Sequence, residues 1–126
     1  MSLLQVNSFA AGQWVAPGPG ARPIENAVTG DVMAEAGNDA LDVAAMLDFA
    51  RETGGPALRA LTFHQRAKML KALATALNEE RDALYALSFS SGATHADHKI
   101  DIDGGIGTMF VFASKGRREM PDGHVY

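Results

Sequence analysis

Residues 62–92 read TFHQRAKMLKALATALNEERDALYALSFSSG. The opening Thr62-Phe63-His64-Gln65 is a capping box, in which the Thr hydroxyl and the Gln side chain satisfy each other's free backbone N–H groups. At about 100° per residue, Phe63, Ala67, Met69, Leu70, Leu73, Ala74, Leu77, Leu84 and Leu87 fill roughly half the circumference. Lys68, Lys71, Thr75, Glu79 and Asp82 fill the other half. With an end near Ser91-Gly92, the spacing predicts one helix of about 28 residues, roughly 40 Å long. So wide an apolar arc has to pack on two sides, more than a chain of 126 residues comfortably covers.

Arg66, Glu80 and Arg81 fall inside that arc. Two readings fit them: edge charges whose stems cover apolar surface, or ion pairs holding a packed interface. Arg66 and Arg81 are therefore structural packing candidates, and neither reading calls for catalysis. His64 lies on the polar side of the first turn and is expected to face water.

Outward from this helix the pattern changes in both directions. Towards the C-terminus, Thr94-His95-Ala96-Asp97 is a second box-like pairing that opens a third helix, through HKIDIDGGIGTMFVFASKGRRE. Ile100, Ile102, Ile106, Met109, Phe110, Val111, Phe112 and Ala113 point in nearly all directions on the wheel, as in a helix buried all round. Pro121-Asp122-Gly123 signals a turn, and His124-Val125-Tyr126 reads as the start of a strand. Towards the N-terminus, Asn38 or Asp39 caps a first helix over residues 39–53, ended by Gly54-Gly55-Pro56. Before it, SFAAGQWVA and PIENAVTGDVMAEAG, separated by the loop PGPGARP, predict a β-hairpin or meander. The organisation is then a β-hairpin region over residues 1–37, three helices over 38–120 and a strand start over 121–126.

A net charge of −4 argues against a nucleic-acid partner, whose backbone needs clustered Lys and Arg. There is no basic leader and no apolar run long enough for a span, so no membrane association is expected. The absence of cysteine removes disulfides, thiolate metal sites and a cysteine nucleophile from this chain, and agrees with a cytoplasmic setting.

The stretch Asp101-Ile102-Asp103-Gly104-Gly105-Ile106-Gly107 invites comparison with a phosphate-binding fingerprint, but Phe110 stands where the third glycine belongs. Asp101 and Asp103 would also repel a phosphate. Each helical glycine costs about 1 kcal/mol relative to Ala, so the missing side chains need a purpose. Ile100, Gly104, Gly107 and Val111 form one stripe suited to a closely approaching backbone; Gly104 and Gly107 are thus packing candidates. Gly105, Met109 and Phe112 form a second stripe that can line a cavity. His95 and His98, with Asp97 and Asp101, have spacing compatible with a metal, yet no fourth strong ligand is near; they read as cap residues and solvated histidines, and no metal is assigned. With neither Cys nor a nucleophile elbow, no catalytic and no cofactor-binding residue is assigned either.

Taken in order, AAGQWV, ENAVTGDVMAEAG, TFHQRAKMLKALATAL, FSSGATHAD and DIDGGIGTMFVFASKGRRE resemble the N-terminal segment of the aldehyde dehydrogenase superfamily. Within it, the phrases GGPALRALTFHQRAKMLKALA, SGATHAD and DIDGGIGTMFVFASKGRREMPDG are similar to the bifunctional branch that opens an oxepin-CoA ring in phenylacetate degradation. The resemblance implies an enzyme of several hundred residues, with an NADP-dependent dehydrogenase part followed by a hot-dog-fold hydratase part. It implies a mainly α chain with a small N-terminal β-hairpin, a fragment of the α/β aldehyde dehydrogenase fold from its cofactor-binding domain. The family's catalytic cysteine, general-base glutamate and oxyanion asparagine would lie beyond Tyr126. By the same analogy the DIDGG helix runs beside the substrate tunnel, so Gly105, Met109 and Phe112 are tunnel candidates. At His95 and His98 the sequence departs from the family, where Arg and Ser are usual.

The resulting expectation is a truncated N-terminal part of an NADP-dependent aldehyde dehydrogenase acting on a CoA-linked semialdehyde, inactive alone. It would self-associate through uncovered apolar helix faces, and the remainder of the enzyme would be its natural partner. The alternative is a stand-alone helical oligomerisation or interaction module.

Overall fold

A computed structural model describes residues 3–126. They fall into two compact units, the first ending at Gly55 and the second comprising Pro56–Tyr126.

The first unit carries five short strands and a helix. β1 (Leu4–Val6), β4 (Arg22–Glu25) and β5 (Val32–Ala36) form a sheet ordered β1-β5-β4, with β1 parallel and β4 antiparallel to β5. β2 (Ser8–Ala10) and β3 (Gln13–Val15) form a separate antiparallel hairpin. Its two turn residues, Ala11 and Gly12, both have positive φ, 47° and 81°, the conformation that matches a tight turn to the twist of its strands. Phe9 faces Trp14 across the hairpin, ring centroids 5.1 Å apart and edge to face. The expected hairpin is therefore present, and a three-stranded mixed sheet stands beside it. Pro23 sits within β4, an edge strand, where a missing N–H breaks no ladder. Asn26 turns the chain between β4 and β5, its side-chain oxygen accepting from the N–H groups of Val28 and Thr29.

The first helix starts later than expected. Asp42 is the cap of α1 (Val43–Phe49), accepting from Ala45 N–H at 3.0 Å. Asp39 instead accepts from Gly20 N–H at 2.9 Å and pins the glycine loop. Gly54-Gly55-Pro56 does not end helical structure: a π-helical turn over Ala50–Gly54 leads into α2 (Gly55–Arg59). A proline ring collides with the carbonyl four residues back in a regular α-helix, and a wider turn immediately before Pro56 relieves that collision.

The second unit contains α3 (Phe63–Glu79), α4 (Arg81–Phe89), α5 (His95–His98), a π-helical turn (Lys99–Asp103) and α6 (Gly104–Arg118). The single 28-residue helix expected from periodicity is divided at Glu80, whose ψ of 8° redirects the chain. Beyond that point α4 packs on α5. Both capping boxes form, Thr62 with Gln65 and Thr94 with Asp97.

The core is the antiparallel seam of α3 and α6. Its buried residues, three alanines and one isoleucine, are seven apart on each helix: Ala67 and Ala74 on one, Ile106 and Ala113 on the other, the spacing that keeps one stripe facing a partner helix. At the end of the seam, a Cβ on Gly116 would stand 3.1 Å from Ala67 Cβ. Residues 120–124 close this end, and the strand expected at His124-Val125-Tyr126 does not form. The segment instead serves the start of α3: Phe63 N–H donates to Gly123 carbonyl at 2.9 Å, Thr62 hydroxyl donates to Asp122 at 2.9 Å, and a ring nitrogen of His64 donates to the Met120 carbonyl; His124 donates to the carbonyl of Arg59 at the end of α2. His64 is accordingly half-buried and bonded rather than solvated.

α6 is not buried all round. Ile106 and Ala113 are covered, whereas Val111 is 54 % and Phe112 60 % exposed, as is Ile100 at 73 % on the preceding turn. Its apolar character exceeds what α3 alone can cover.

Candidate functional site

The glycine-rich end of α6 is built from the residues that precede it. Thr94 caps α5 through a reciprocal pair: its hydroxyl and N–H both donate to the Asp97 carboxylate, at 2.7 and 2.6 Å. These bonds, the hydroxyl first, hold Asp97 below the ordinary carboxylate value. One turn on, Asp103 accepts a short hydrogen bond from the Tyr85 hydroxyl of α4, which pushes that phenol above its ordinary value.

Between these two bonds lies His98, which the sequence reading placed in solvent. It is fully buried. Its ring stacks on Tyr85 at 5.0 Å and meets Phe89 edge-on at 4.4 Å, with His95 at 5.9 Å. Neither ring nitrogen has a hydrogen-bond partner among the described residues, and the ring's close neighbours are aromatic. The expectation failed because residues 9 and 13 positions earlier, on another helix, cover this ring, a relation no local spacing encodes. Among the described residues no group of three His, Cys, Asp or Glu side chains is placed to hold a metal.

The α6 stripe then rises from this corner. Gly105, Met109 and Phe112 share one face, Gly105 and Phe112 exposed and Met109 half-buried. A Cβ on Gly105 would meet nothing within 4 Å. The close approach expected at Gly104 and Gly107 is not made within this unit: a Cβ at Gly107 would also meet nothing within 4 Å, and one at Gly104 only the Lys99 carbonyl at 4.0 Å. The helix contact that needs a glycine is at Gly116, which the sequence reading passed over. The signal was available, since Ala113 and Gly116 continue the small-residue side that faces Ala67.

Arg66 and Arg81 make no ion pair among the described residues. Arg66 donates to the Leu61 carbonyl at 3.2 Å and lies over the Phe63 ring, while Arg81 lies over Tyr85. In both cases it is the guanidinium group that lies over a ring. The pair is separated along the divided helix and joins neither the glycine stripe nor any common site.

DIDGGIG is helical throughout, its first half in the π-helical turn and its second in α6. Its amides are committed to the helix and Asp103 is engaged by Tyr85, so no loop of free N–H groups exists to cradle a dinucleotide phosphate. The DIDGGIG stretch therefore does not fit the phosphates of a nicotinamide cofactor.

In sequence, residues 14–125 match the aldehyde dehydrogenase family. The chain belongs to the aldehyde dehydrogenase family. Over 115 residues it is 36 % identical to a 3,4-dehydroadipyl-CoA semialdehyde dehydrogenase of Aromatoleum evansii, an alignment that covers 90 % of this chain and 22 % of that relative. This aldehyde dehydrogenase chain therefore spans about a fifth of the length of the curated relative it matches. Its mainly helical architecture with a small β-hairpin region is part of the family's fold. No helix among its described residues is long and apolar enough to cross a membrane.

Proposed function

We propose that this chain is the N-terminal portion of an NADP-dependent aldehyde dehydrogenase that oxidises a CoA-linked semialdehyde in phenylacetate breakdown, in an enzyme that also carries a ring-opening hydratase part. The identity to a CoA-semialdehyde dehydrogenase supports this reading. Its own contribution is a wall: Gly105, with open space where a side chain would stand, together with Met109 and Phe112, borders the passage through which the acyl chain reaches the reacting centre elsewhere in the enzyme. Catalytic residues and cofactor contacts belong to that remainder.

The carrying observation is the unfilled space over Gly105. In the complete dehydrogenase, Gly105→Val is expected to raise KM for the CoA-linked semialdehyde about tenfold while leaving a short aliphatic aldehyde unaffected, since a few added carbons in an apolar passage discriminate by roughly 1–3 kcal/mol. Unchanged constants for both substrates would remove Gly105 from the passage. The second reading, a self-associating helical module, rests on the exposure of Val111 and Phe112. Light scattering at high protein concentration decides it, a strictly monomeric mass counting against association.

A further inference from the structure

α3 and α6 enclose a groove of about 600 Å³, walled by Lys68 and Lys71 of α3 and by Phe110, Ser114 and Arg117 of α6, with His64 at one end. That volume is in the range of small-molecule sites. Its floor is the buried pair Ala67 and Ala113, whose small side chains leave the concavity open. Three fixed positive charges thus share one depression, in a chain where acidic residues outnumber basic ones, 15 to 11. None of the three has a carboxylate partner within 4.0 Å among the described residues; the close contacts of that kind there are Lys115 with Glu119 and the His64 ring with Asp122. Lys68 and Lys71, three apart on one helix face, repel each other without compensation.

We propose that this groove binds the diphosphate group of an anionic ligand. Two ammonium groups and a guanidinium fork offer charged donors to several phosphate oxygens at once, and the Ser114 hydroxyl adds a neutral donor. Asp122 lies 3.8 Å from His64 and disfavours an anion at that end, so the phosphates sit among Lys68, Lys71 and Arg117. Phe110 lines the same groove and supplies a ring on which a base can stack. The groove lies about a third of a turn around α6 from the Gly105 face at 100° per residue. It is independent of the proposed passage and of DIDGGIG.

Calorimetry and amide chemical-shift titration of the 126-residue chain at low salt, with sodium pyrophosphate and with ADP separately, test the site. Saturable binding is expected, with shifts centred on Lys68, Lys71, Ser114 and Arg117. It should weaken at least tenfold in the Lys68→Gln/Lys71→Gln double variant and stay unchanged in Lys99→Gln, a lysine on the π-helical turn outside the groove. Tighter binding of ADP, abolished by Phe110→Leu, assigns a nucleotide; equal affinities assign inorganic diphosphate. No saturable binding of either probe, or affinity unaffected by the double variant, overturns the proposal. Should the double variant lose helix content, lysine acetylation of the unsubstituted chain decides: pyrophosphate protecting Lys68 and Lys71 over Lys99 supports the site, and equal labelling overturns it.

Discussion

α6 has glycines at both ends, and the two ends put them to different use. At the C-terminal end, Gly116 is an intramolecular contact, set against Ala67. At the N-terminal end, Gly105 and Gly107 face open space above a corner held by His98, Tyr85 and Asp103. A glycine in a helix reports only that a side chain is absent. Whether the space serves a neighbour in the same chain or something outside it depends on which element comes to lie opposite, and the two ends respond to substitution with opposite sign.

The largest expected effect is at the closed end. Gly116→Val places a Cβ 3.1 Å from Ala67 Cβ and two further methyl groups in a seam of small residues. Overpacking of this kind costs about 1–3 kcal/mol, against a gain in helix propensity below about 1 kcal/mol. A thermal melt of the variant should fall by several degrees; an unchanged midpoint would mean that α3 and α6 do not meet at this point. Next is Thr62→Ala, which removes both the cap of α3 and the hydroxyl that donates to Asp122. A loss of about 1 kcal/mol is expected, accompanied by faster amide exchange at Phe63 as the 120–124 segment loosens.

The open end should behave the other way. Gly105→Ala adds a methyl group where nothing lies within 4 Å and should stabilise the chain by up to about 1 kcal/mol through helix propensity. Destabilisation measured by urea titration would show that the open face is occupied in solution, for instance by a second copy.

The comparison also explains what could be read in advance. Both capping boxes and the amphipathic face of α3 rest on spacings of three or four residues, and all are present. The burial of His98 and the capping of α3 by residues 120–124 depend on groups 9 to 60 residues apart in sequence. Periodicity carries no record of such partners. The groove was missed for a related reason: Lys68 and Lys71 look like an ordinary wet face until α6 brings Arg117 opposite them.

The smallest effects concern pH, and they separate the two bonds that hold the open corner. Asp97 titrates below its ordinary value of 3.8 because Thr94 donates to its charged form. The cap of α5 therefore contributes fully above that value and is lost as pH falls through the lowered one. Tyr85 titrates above 10.0, chiefly because its proton is shared with Asp103. That bond contributes fully below 10.0 and is lost as pH rises through the higher value. Asp97 is exposed and Tyr85 only half-buried, which keeps each effect small. Following the His98 ring resonances during the two titrations tells them apart: acid should disturb the His95 side of the cluster through α5, and alkali the Tyr85 stack. If Thr94→Ala abolishes the acid change and leaves the alkaline one intact, the two bonds act separately. If it abolishes both, the corner moves as one piece, and the space over Gly105 is set by the whole aromatic cluster rather than by α6 alone.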